Sequence, residues 1–288
     1  MPSTAADLVA LLELEPIEHD IYRGQNRNIG TGRIFGGQVL AQALVAAAHT
    51  VEDDRALHSM HGYFILAGDL DAPVVYFVER LRDGGSFTTR RVTGIQHGHA
   101  IFSMSSSFHR PEEGIEHQME MPDVPSPETL RPELEQIRAR ADEIPEELRA
   151  ILTQDRALDF RSVDGGDPFE VTAREPTRRY WVRTVGPVDD DPVHHQALLA
   201  YASDFGLLDA ALRPHALSLR DPQLMVASLD HSIWFHRPVR MDEWMLYVAE
   251  SPAARGARAF TRGTFYSRSG EIVASVAQEG LVRRKRGS

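Results

Sequence analysis

The amino-acid sequence predicts an α+β fold in which one unit, a helix wrapped by an antiparallel sheet, occurs twice. Two similar strand-like patterns begin at His61 and His231, which are 170 positions apart. A helix-forming segment precedes each pattern. Between the two halves lies a stretch rich in Pro, Glu and Arg, which is typical of a linker. These three observations divide the chain into two parts of the same kind.

The strand patterns predict three or four antiparallel strands in each half. The first half contains HGYFI from His61 and VVYFV from Val74, and the second contains HSIWF from His231 and WMLYV from Trp244. These segments alternate and are rich in β-branched and aromatic residues, which favour strands. Hairpins are predicted where glycine-containing turns separate them, at 83–85, 97–99 and 269–270.

The central helices are predicted at 37–48 and 195–208, where residues of high helix propensity dominate. One helix and one antiparallel sheet, repeated, is the double-hotdog arrangement. The sheets of the two repeats are expected to join edge to edge, because this hides two unpaired edges. A short exposed helix is expected in the linker, near 131–141. The predicted division is a repeat at 14–110, a linker at 111–154 and a repeat at 155–285.

Composition and charge exclude several classes of function. The chain has 288 residues and a formal net charge of −11, which argues against nucleic-acid binding because that requires a basic surface. It contains no cysteine, so disulfides, thiolate metal sites and cysteine nucleophiles are excluded. The acidic N-terminal segment lacks the basic region of a secretory signal, and the apolar run at 39–48 is too short to span a bilayer. We expect a cytoplasmic protein without membrane partners, metal or cofactor.

Three polar side chains fall on faces that the sequence predicts to be apolar. In the second helical segment, Asp204 lies four positions before Leu208 and shares its stripe. In the last strand, Gln278 continues the alternating apolar positions 272, 274 and 276. Ser228 alternates in the same way with Val226 in an earlier strand. The three residues belong to three different elements of the second half.

A carboxylate, a hydroxyl and a primary amide could together hold one water molecule. The carboxylate of Asp204 could then remove a proton from that water as a general base. A second interpretation is that each of the three groups is satisfied separately by backbone. Periodicity alone leaves both interpretations open.

Several longer motifs occur in order along the chain: GRIFGGQVLAQAL from Gly32, LHSMHGYF from Leu57, ERLRDGGSFTTRRV from Glu79, YASDF from Tyr201 and ASLDHSIWFH from Ala227. With these motifs the sequence resembles the type II acyl-CoA thioesterases, the TesB-like double-hotdog enzymes. The resemblance extends from about Leu14 to Arg284. It departs at Ala67, where a proline is usual, and at Ser228, where many members have threonine.

The resemblance implies hydrolysis of a fatty acyl-CoA to free fatty acid and CoA by direct attack of water. The family places an Asp, a Ser or Thr and a Gln around that water, and by motif these are Asp204, Ser228 and Gln278. Asp204 would deprotonate the water, and Gln278 or a backbone N–H would stabilise the oxyanion. The resemblance also implies a homo-oligomer, either dimer or tetramer. Acyl-CoA is the expected partner.

Two other functions stay open at this point. A hotdog hydratase or dehydratase acting on acyl thioesters would need a His–Asp or His–Glu pair on the inner face, for which His58 is the candidate. A non-catalytic acyl-CoA-binding protein would have the fold without Asp204, Ser228 and Gln278 as a group. His58 and His61 are three apart in a strand, so we expect them on opposite faces and not at a shared metal.

Overall fold

One antiparallel sheet runs through both halves of the chain. The computed structural model describes residues 2–30, 32–165, 171–219 and 221–285. The first half contains α1 (Ala5–Leu12), β1 (Glu15–Glu18), β2 (Ile21–Gly24), α2 (Gly36–Ala48), β3 (Ala56–Phe64), β4 (Val74–Asp83), β5 (Phe87–Gln96) and β6 (His99–His109). The connecting region contains α3 (Glu133–Arg138) and α4 (Glu146–Thr153), with 3₁₀ turns at Pro127–Thr129 and Ala141–Glu143.

The second half repeats this order. It contains β7 (Leu158–Ser162), β8 (Thr177–Thr184), α5 (Pro192–Ser203), α6 (Asp209–Leu212), a 3₁₀ turn at Arg213–His215, β9 (Leu224–Ser228), β10 (Asp230–Phe235), β11 (Met245–Arg255), β12 (Arg258–Ser267) and β13 (Ile272–Arg284). The strand order is β1-β2-β4-β5-β6-β3-β10-β13-β12-β11-β8-β7, and β9 pairs with the far end of β13. The α+β prediction is confirmed.

The two halves join where β3 pairs antiparallel with β10, with Met60 opposite Ile233. The edge-to-edge prediction is therefore confirmed. The same pairing makes the strand order of one half the reverse of the other around this junction. Joining the sheets here pairs the two edges that would otherwise expose unbonded N–H and C=O groups.

The helices α2 and α5 lie side by side in the hollow of the sheet. The residues 37–47 of α2 and 195–203 of α5 are all buried. Because these helices are buried on every side, their polar side chains cannot be solvated and need partners inside the protein. Gln38 and Gln42 find them in the loop before α2 and in α1. The side chain of Asp191 caps the start of α5 by accepting a hydrogen bond from the N–H of Val193 (2.8 Å).

The hairpin predictions are confirmed in β4–β5, β5–β6 and β12–β13. In the second of them, His97 and Gly98 both have positive φ, 50° and 77°, as a two-residue turn between twisted strands requires. A fourth hairpin, at Gly256 and Ala257, joins β11 to β12.

The region between the halves covers one outer face of the sheet. Trp181 on β8 donates its indole N–H to the carbonyl of Pro125 (2.9 Å). The apolar side chains of Met121 and Val124 pack against the outer aromatic cluster formed by Trp181, Trp244, Leu246 and Tyr266. The expectation of an exposed helix was wrong in one respect, because Ile137 of α3 is fully buried. The second helix of this region, α4, was not predicted.

Two corrections concern which face of the sheet carries each histidine. A register shift between Leu57 and Ser59 inserts one residue into β3, and such a bulge reverses the alternation after it. His58 bonds Ser107 on the outer face, and His61 contacts the exposed ring of Trp234. Both histidines therefore lie on the outer face, and the prediction of opposite faces was wrong. His231 is fully buried on the inner face, so its match to His61 in the repeat is not a structural equivalence.

Candidate active site

The N-terminus of α2 meets the C-terminus of α5 at the edge of the buried helix pair. Asp204 is the residue that caps the end of α5. Its Oδ2 accepts a hydrogen bond from the N–H of Gly37 in the first turn of α2 (2.9 Å). The first N–H groups of a helix have no partner inside it and carry partial positive charge. The carboxylate thus satisfies one of these donors and stabilises the helix start.

The glycines at the start of α2 are required for this close approach. A Cβ atom on Gly36 would lie 2.8 Å from Oδ2 of Asp204, and one on Gly37 would lie 2.6 Å from the carbonyl oxygen of Tyr201. Both distances are far below van der Waals contact. The two glycines therefore allow the start of α2 to pack against the end of α5.

The structure brings the three polar side chains of the second half into one hydrogen-bonded group. The hydroxyl of Ser228 donates to Oδ1 of Asp204 over 3.4 Å, a long contact. The amide nitrogen of Gln278 donates to Oγ of Ser228 over 2.6 Å. The side chain of Gln278 is 1% exposed and that of Asp204 is 6% exposed. We call Asp204, Ser228 and Gln278 the polar trio.

Burial sets the electrostatics of the trio. Loss of solvent raises the pKa of Asp204 from 3.8 to about 7, because the charged form is disfavoured away from water. Smaller effects lower the pKa again: the N–H of Gly37, the side chains of Gln278 and Ser228, and the positive charge of Arg33. Near neutral pH the carboxyl group is therefore close to equally divided between acid and base, which suits a proton acceptor in a reaction.

Aromatic rings border the carboxylate. The ring of Phe64 would lie 3.1 Å from a Cβ on Gly36, so it faces the same space as Oδ2 of Asp204. Phe35 and Phe205, the neighbours of Gly36 and Asp204 in sequence, are in contact with each other (4.5 Å between ring centroids). The three phenylalanines are half-buried. They supply apolar surface next to the polar trio.

The three side chains meet in the structure, but partly for reasons other than those inferred from periodicity. Gln278 does continue the buried alternation of Ala274 and Val276. Asp204 was assigned to a helical stripe that continued to Leu208, whereas α5 ends at Ser203 and the chain then turns. Its carboxylate reaches the site because it caps the helix.

His231 is a site residue that the prediction missed. Its Nδ1 lies 2.7 Å from Oε1 of Gln278 and its Nε2 lies 2.9 Å from Oγ of Ser203. Burial lowers its pKa to about 4, so the ring is neutral at neutral pH. The alternation of His231 with the buried Ile233 and Phe235 was the available signal.

The other histidines do not converge on a site. His58, the predicted hydratase candidate, lies outside the core, bonded to Ser107 and in contact with Phe87. His195 is buried and accepts a hydrogen bond from the N–H of Met241 at Nδ1 (3.0 Å). Among the described residues, no three His, Asp or Glu side chains are placed to hold a metal ion.

The opposite end of the helix pair holds a cavity of about 760 Å³. Here the end of α2 meets the start of α5. Since the two halves repeat the same fold, this position is equivalent to that of the polar trio at the other end of the helix pair. Its walls include Val45, Leu57 and Phe108, but its rim is acidic, with Glu13, Glu52, Asp53, Asp54 and Asp191. A rim of this charge is unsuited to a polyphosphate.

None of the helices in the described part of the chain combines the length and apolar character needed to cross a bilayer.

Models of two protein domains match the chain, one half each. The family model described as "Acyl-CoA thioesterase N-terminal domain" matches residues 24–109, and the one described as "Acyl-CoA thioesterase" matches residues 153–281. Acyl-CoA thioesterase 2 of Haemophilus influenzae is 40% identical over 277 residues, covering 96% of this chain and 97% of the relative. The chain belongs to the acyl-CoA thioesterase family. The resemblance to the type II enzymes is thereby confirmed.

Another curated relative and two solved structures also match nearly the whole chain, at different levels of identity. Acyl-coenzyme A thioesterase 8 of Mus musculus is 39% identical, with 96% of this chain and 89% of that protein covered. The crystal structure of an acyl-CoA thioesterase II from Mycobacterium marinum superposes with a TM-score of 0.80 at 41% identity, covering 98% of this chain and all of that one. A hot dog-fold protein from Alicyclobacillus acidocaldarius, 18% identical with a TM-score of 0.74, covers 97% of this chain and 98% of its own. The latter supports the double-hotdog fold alone.

Proposed function

We propose that this member of the family hydrolyses acyl-CoA to a fatty acid and CoA, with the polar trio as the catalytic group. The observation that carries the proposal is the buried carboxylate of Asp204, held by the N–H of Gly37 and the hydroxyl of Ser228. A carboxylate with a raised pKa and a fixed orientation, beside apolar surface, is the arrangement expected of a general base.

The proposed reaction is a direct displacement by water. Asp204 removes a proton from a water molecule while the water oxygen bonds to the thioester carbonyl carbon. The carbonyl oxygen becomes an oxyanion, which an N–H of Gln278 or of the α2 terminus stabilises. The C–S bond then breaks, and the CoA thiolate takes up the proton from Asp204. This step regenerates the carboxylate of Asp204. Because the nucleophile is water, no covalent acyl-enzyme forms.

The surroundings of the trio fit both parts of the substrate. The acyl chain is apolar and suits the surface formed by Phe35, Phe64 and Phe205. The CoA phosphates need cations, which a chain of net charge −11 must supply locally. Arg33 donates to the carbonyl of Val226, two residues before Ser228. Arg284, six residues beyond Gln278, lies on the same face of β13 by alternation and is exposed.

The two alternative functions have weaker support. A binding protein would be favoured if Asp204 were paired with an arginine, but no ion pair of its carboxylate with arginine occurs among the described residues. A hydratase would need a histidine free to act as a base. His58 is on the outer face, and both ring nitrogens of His231 are hydrogen-bonded inside the core.

The test is thiol release from acyl-CoAs of four to eighteen carbons by the wild type and by Asp204→Asn, Ser228→Ala and Gln278→Ala. We expect wild-type turnover and losses of about 100-fold or more in kcat for Asp204→Asn. The matched control is Asp53→Asn, an exposed aspartate of the acidic rim, which should retain full activity. Absence of turnover at every chain length, with acyl-CoA still bound, would leave the binding protein as the function.

Three further predictions from the sequence are proposals of the same kind. They are the division into repeats at 14–110 and 155–285 with a linker at 111–154, a homo-oligomeric state, and a cytoplasmic location. The coverage of the chain by two separate domain models supports the first.

A further inference from the structure

The hydrogen bonds of the polar trio continue into the core through two more side chains. Gln278 is bonded to His231, and His231 to Ser203 (2.7 and 2.9 Å). Ser203 and His231 are fully buried and Gln278 nearly so. Resting on the proposed function, we propose that His231 is a positioning residue: its Nδ1–H holds the amide of Gln278 in the one orientation that presents N–H groups to Ser228 and to the reacting atoms.

The direction of every bond follows from the carboxylate at the end of the chain. An ionised Asp204 can only accept, so the hydroxyl of Ser228 must donate its single proton to it. Ser228 then needs a donor, and the close group is the amide nitrogen of Gln278 (2.6 Å). This turns the amide oxygen toward His231.

The same reasoning fixes the tautomer of His231. Because Oε1 of Gln278 is an acceptor, Nδ1 of His231 must carry the proton. The ring is neutral, since burial lowers its pKa to about 4, and its Nε2 is therefore an acceptor. This nitrogen lies beside the hydroxyl of Ser203, whose single proton is also within reach of the carbonyl of Ala200 (2.8 Å). The bonds thus run in one direction from His231 through Gln278 and Ser228 to Asp204.

A flipped amide would disable the site. With Oε1 toward Ser228, two acceptors would compete for one hydroxyl proton, and Ser228 could bond either Asp204 or Gln278 but not both. No N–H of Gln278 would then face the reacting atoms. Asn and Gln amides have near-identical shapes in either orientation, so only the hydrogen-bonding partners choose between them. The ionised Asp204 selects one orientation through Ser228, and His231 with its proton on Nδ1 holds the amide in that orientation.

The first half shows that the fold itself does not need histidine at this place. On β6, Ser106 pairs with Arg90 as Gln278 pairs with Thr261 on the equivalent strands. The inner-face residue of β3 opposite Ser106 is Met60, fully buried. Methionine therefore fills the position in the repeat that has no polar trio, and histidine fills it in the repeat that has one.

This comparison supplies the test variant, His231→Met. It replaces the ring by the residue that the first half uses, and we expect the urea midpoint to stay close to the wild type. Without the donor, Gln278 is free to flip, so kcat for acyl-CoA should fall about 10- to 100-fold while KM changes less than threefold. His231→Asn, whose amide N–H can replace Nδ1–H, should recover most of the loss.

The matched control is His236→Met on the outer face, where the ring is bonded to Ser275 (2.8 Å) and to no other side chain in the described part of the protein; it should leave kcat unchanged. A folded His231→Met with kcat within twofold of the wild type would overturn the proposal. So would an equal loss in His231→Asn and His231→Met, since loss of packing and not of the donor would then be the cause.

A second measurement decides the matter without activity. Long-range ¹H–¹⁵N NMR correlations of the wild type distinguish the two imidazole tautomers, and the proposal requires the proton on Nδ1 of His231. A proton on Nε2 would refute it. If the wild type hydrolyses no acyl-CoA, the proposed function fails. The spectrum still shows whether Nδ1 of His231 carries the proton that it would donate to Gln278.

Discussion

Replacing Asp204 by asparagine should stabilise the fold at alkaline pH while it removes the proposed base. A folded-state pKa of about 7, against an ordinary value of 3.8, corresponds to ~4 kcal/mol. The sign follows from linkage. Because the pKa is raised in the folded protein, the contribution of this group to stability is complete below pH 4. It is lost as the pH rises to about 7 and stays lost above that.

Asparagine keeps an acceptor for the N–H of Gly37 and cannot ionise. The free energy of unfolding of Asp204→Asn, relative to the wild type, should therefore rise from pH 4 to pH 8. The increase should approach ~4 kcal/mol, less whatever the changed bond to Ser228 costs. Urea unfolding of both proteins at closely spaced pH values measures this difference, and the titrations of all other groups cancel in it.

The exposed Asp53→Asn is the control, and its difference from the wild type should be small at every pH. A difference for Asp204→Asn that is the same at pH 5 and pH 8 would refute the reasoning, because the carboxylate would then not be destabilised by burial. If Asp204→Asn lost activity but its free energy of unfolding did not rise with pH relative to the wild type, Asp204 would act in catalysis without a pKa raised by burial.

Three further outcomes are expected. The kcat/KM of the wild type should increase with pH through a midpoint near 7 and reach a plateau about one pH unit higher, because the base must be ionised in the free enzyme; initial rates between pH 5.5 and 9 measure it. Gly36→Ala should lower kcat at least tenfold, since the added Cβ would lie 2.8 Å from Oδ2 of Asp204; the same thiol-release assay applies. Arg284→Glu should raise KM for acyl-CoA severalfold at low salt, with little change in kcat, because it places like charge beside the phosphates.

Each of these outcomes has its own control. The pH profile of kcat/KM would contradict the proposal if it stayed flat between pH 6 and 8. Gly85→Ala, where an added Cβ meets no atom within 4 Å, should be fully active, and an active Gly36→Ala would show that the carboxylate can move. The control for Arg284→Glu is Arg131→Glu, which makes the same change of charge at an exposed arginine of the linker region and should leave KM unchanged. If both variants raised KM equally, the effect would come from the net charge of the protein and not from a contact with the phosphates.

The fold class follows from local features of the sequence. The helix segment at 37–48, the alternating strands and the glycine turns each have a short-range cause in propensity or backbone freedom, so sequence alone predicts them. The repeat then indicates that two such units are present. The position of Gln278 was predictable for the same reason, because the pairing of β13 is regular from Ala274 onward; the register shift next to Ile272 lies before this stretch.

The site depended on features that periodicity cannot represent. A one-residue shift in register separates the pairing of β9 from that of β10 on β13. Ser228 and His231 are three apart, which in an unbroken strand would put them on opposite faces. Because of the shift, both reach Gln278. In the first half, the bulge in β3 is formed by His58 itself, between Leu57 and Ser59, and it leaves this histidine on the outer face.

Sequence alone therefore determined the two central helices, the main strands of each repeat and the family, since these depend on local preference and on motifs. Only the tertiary structure decided that Asp204 caps one helix and binds the start of the other, since Gly37 is 167 residues away along the chain. It also decided that the carboxylate is buried, which raises its pKa, and that His231 faces inward. These properties arise from contacts between distant segments, and a pattern within one segment carries no information about its neighbours in space.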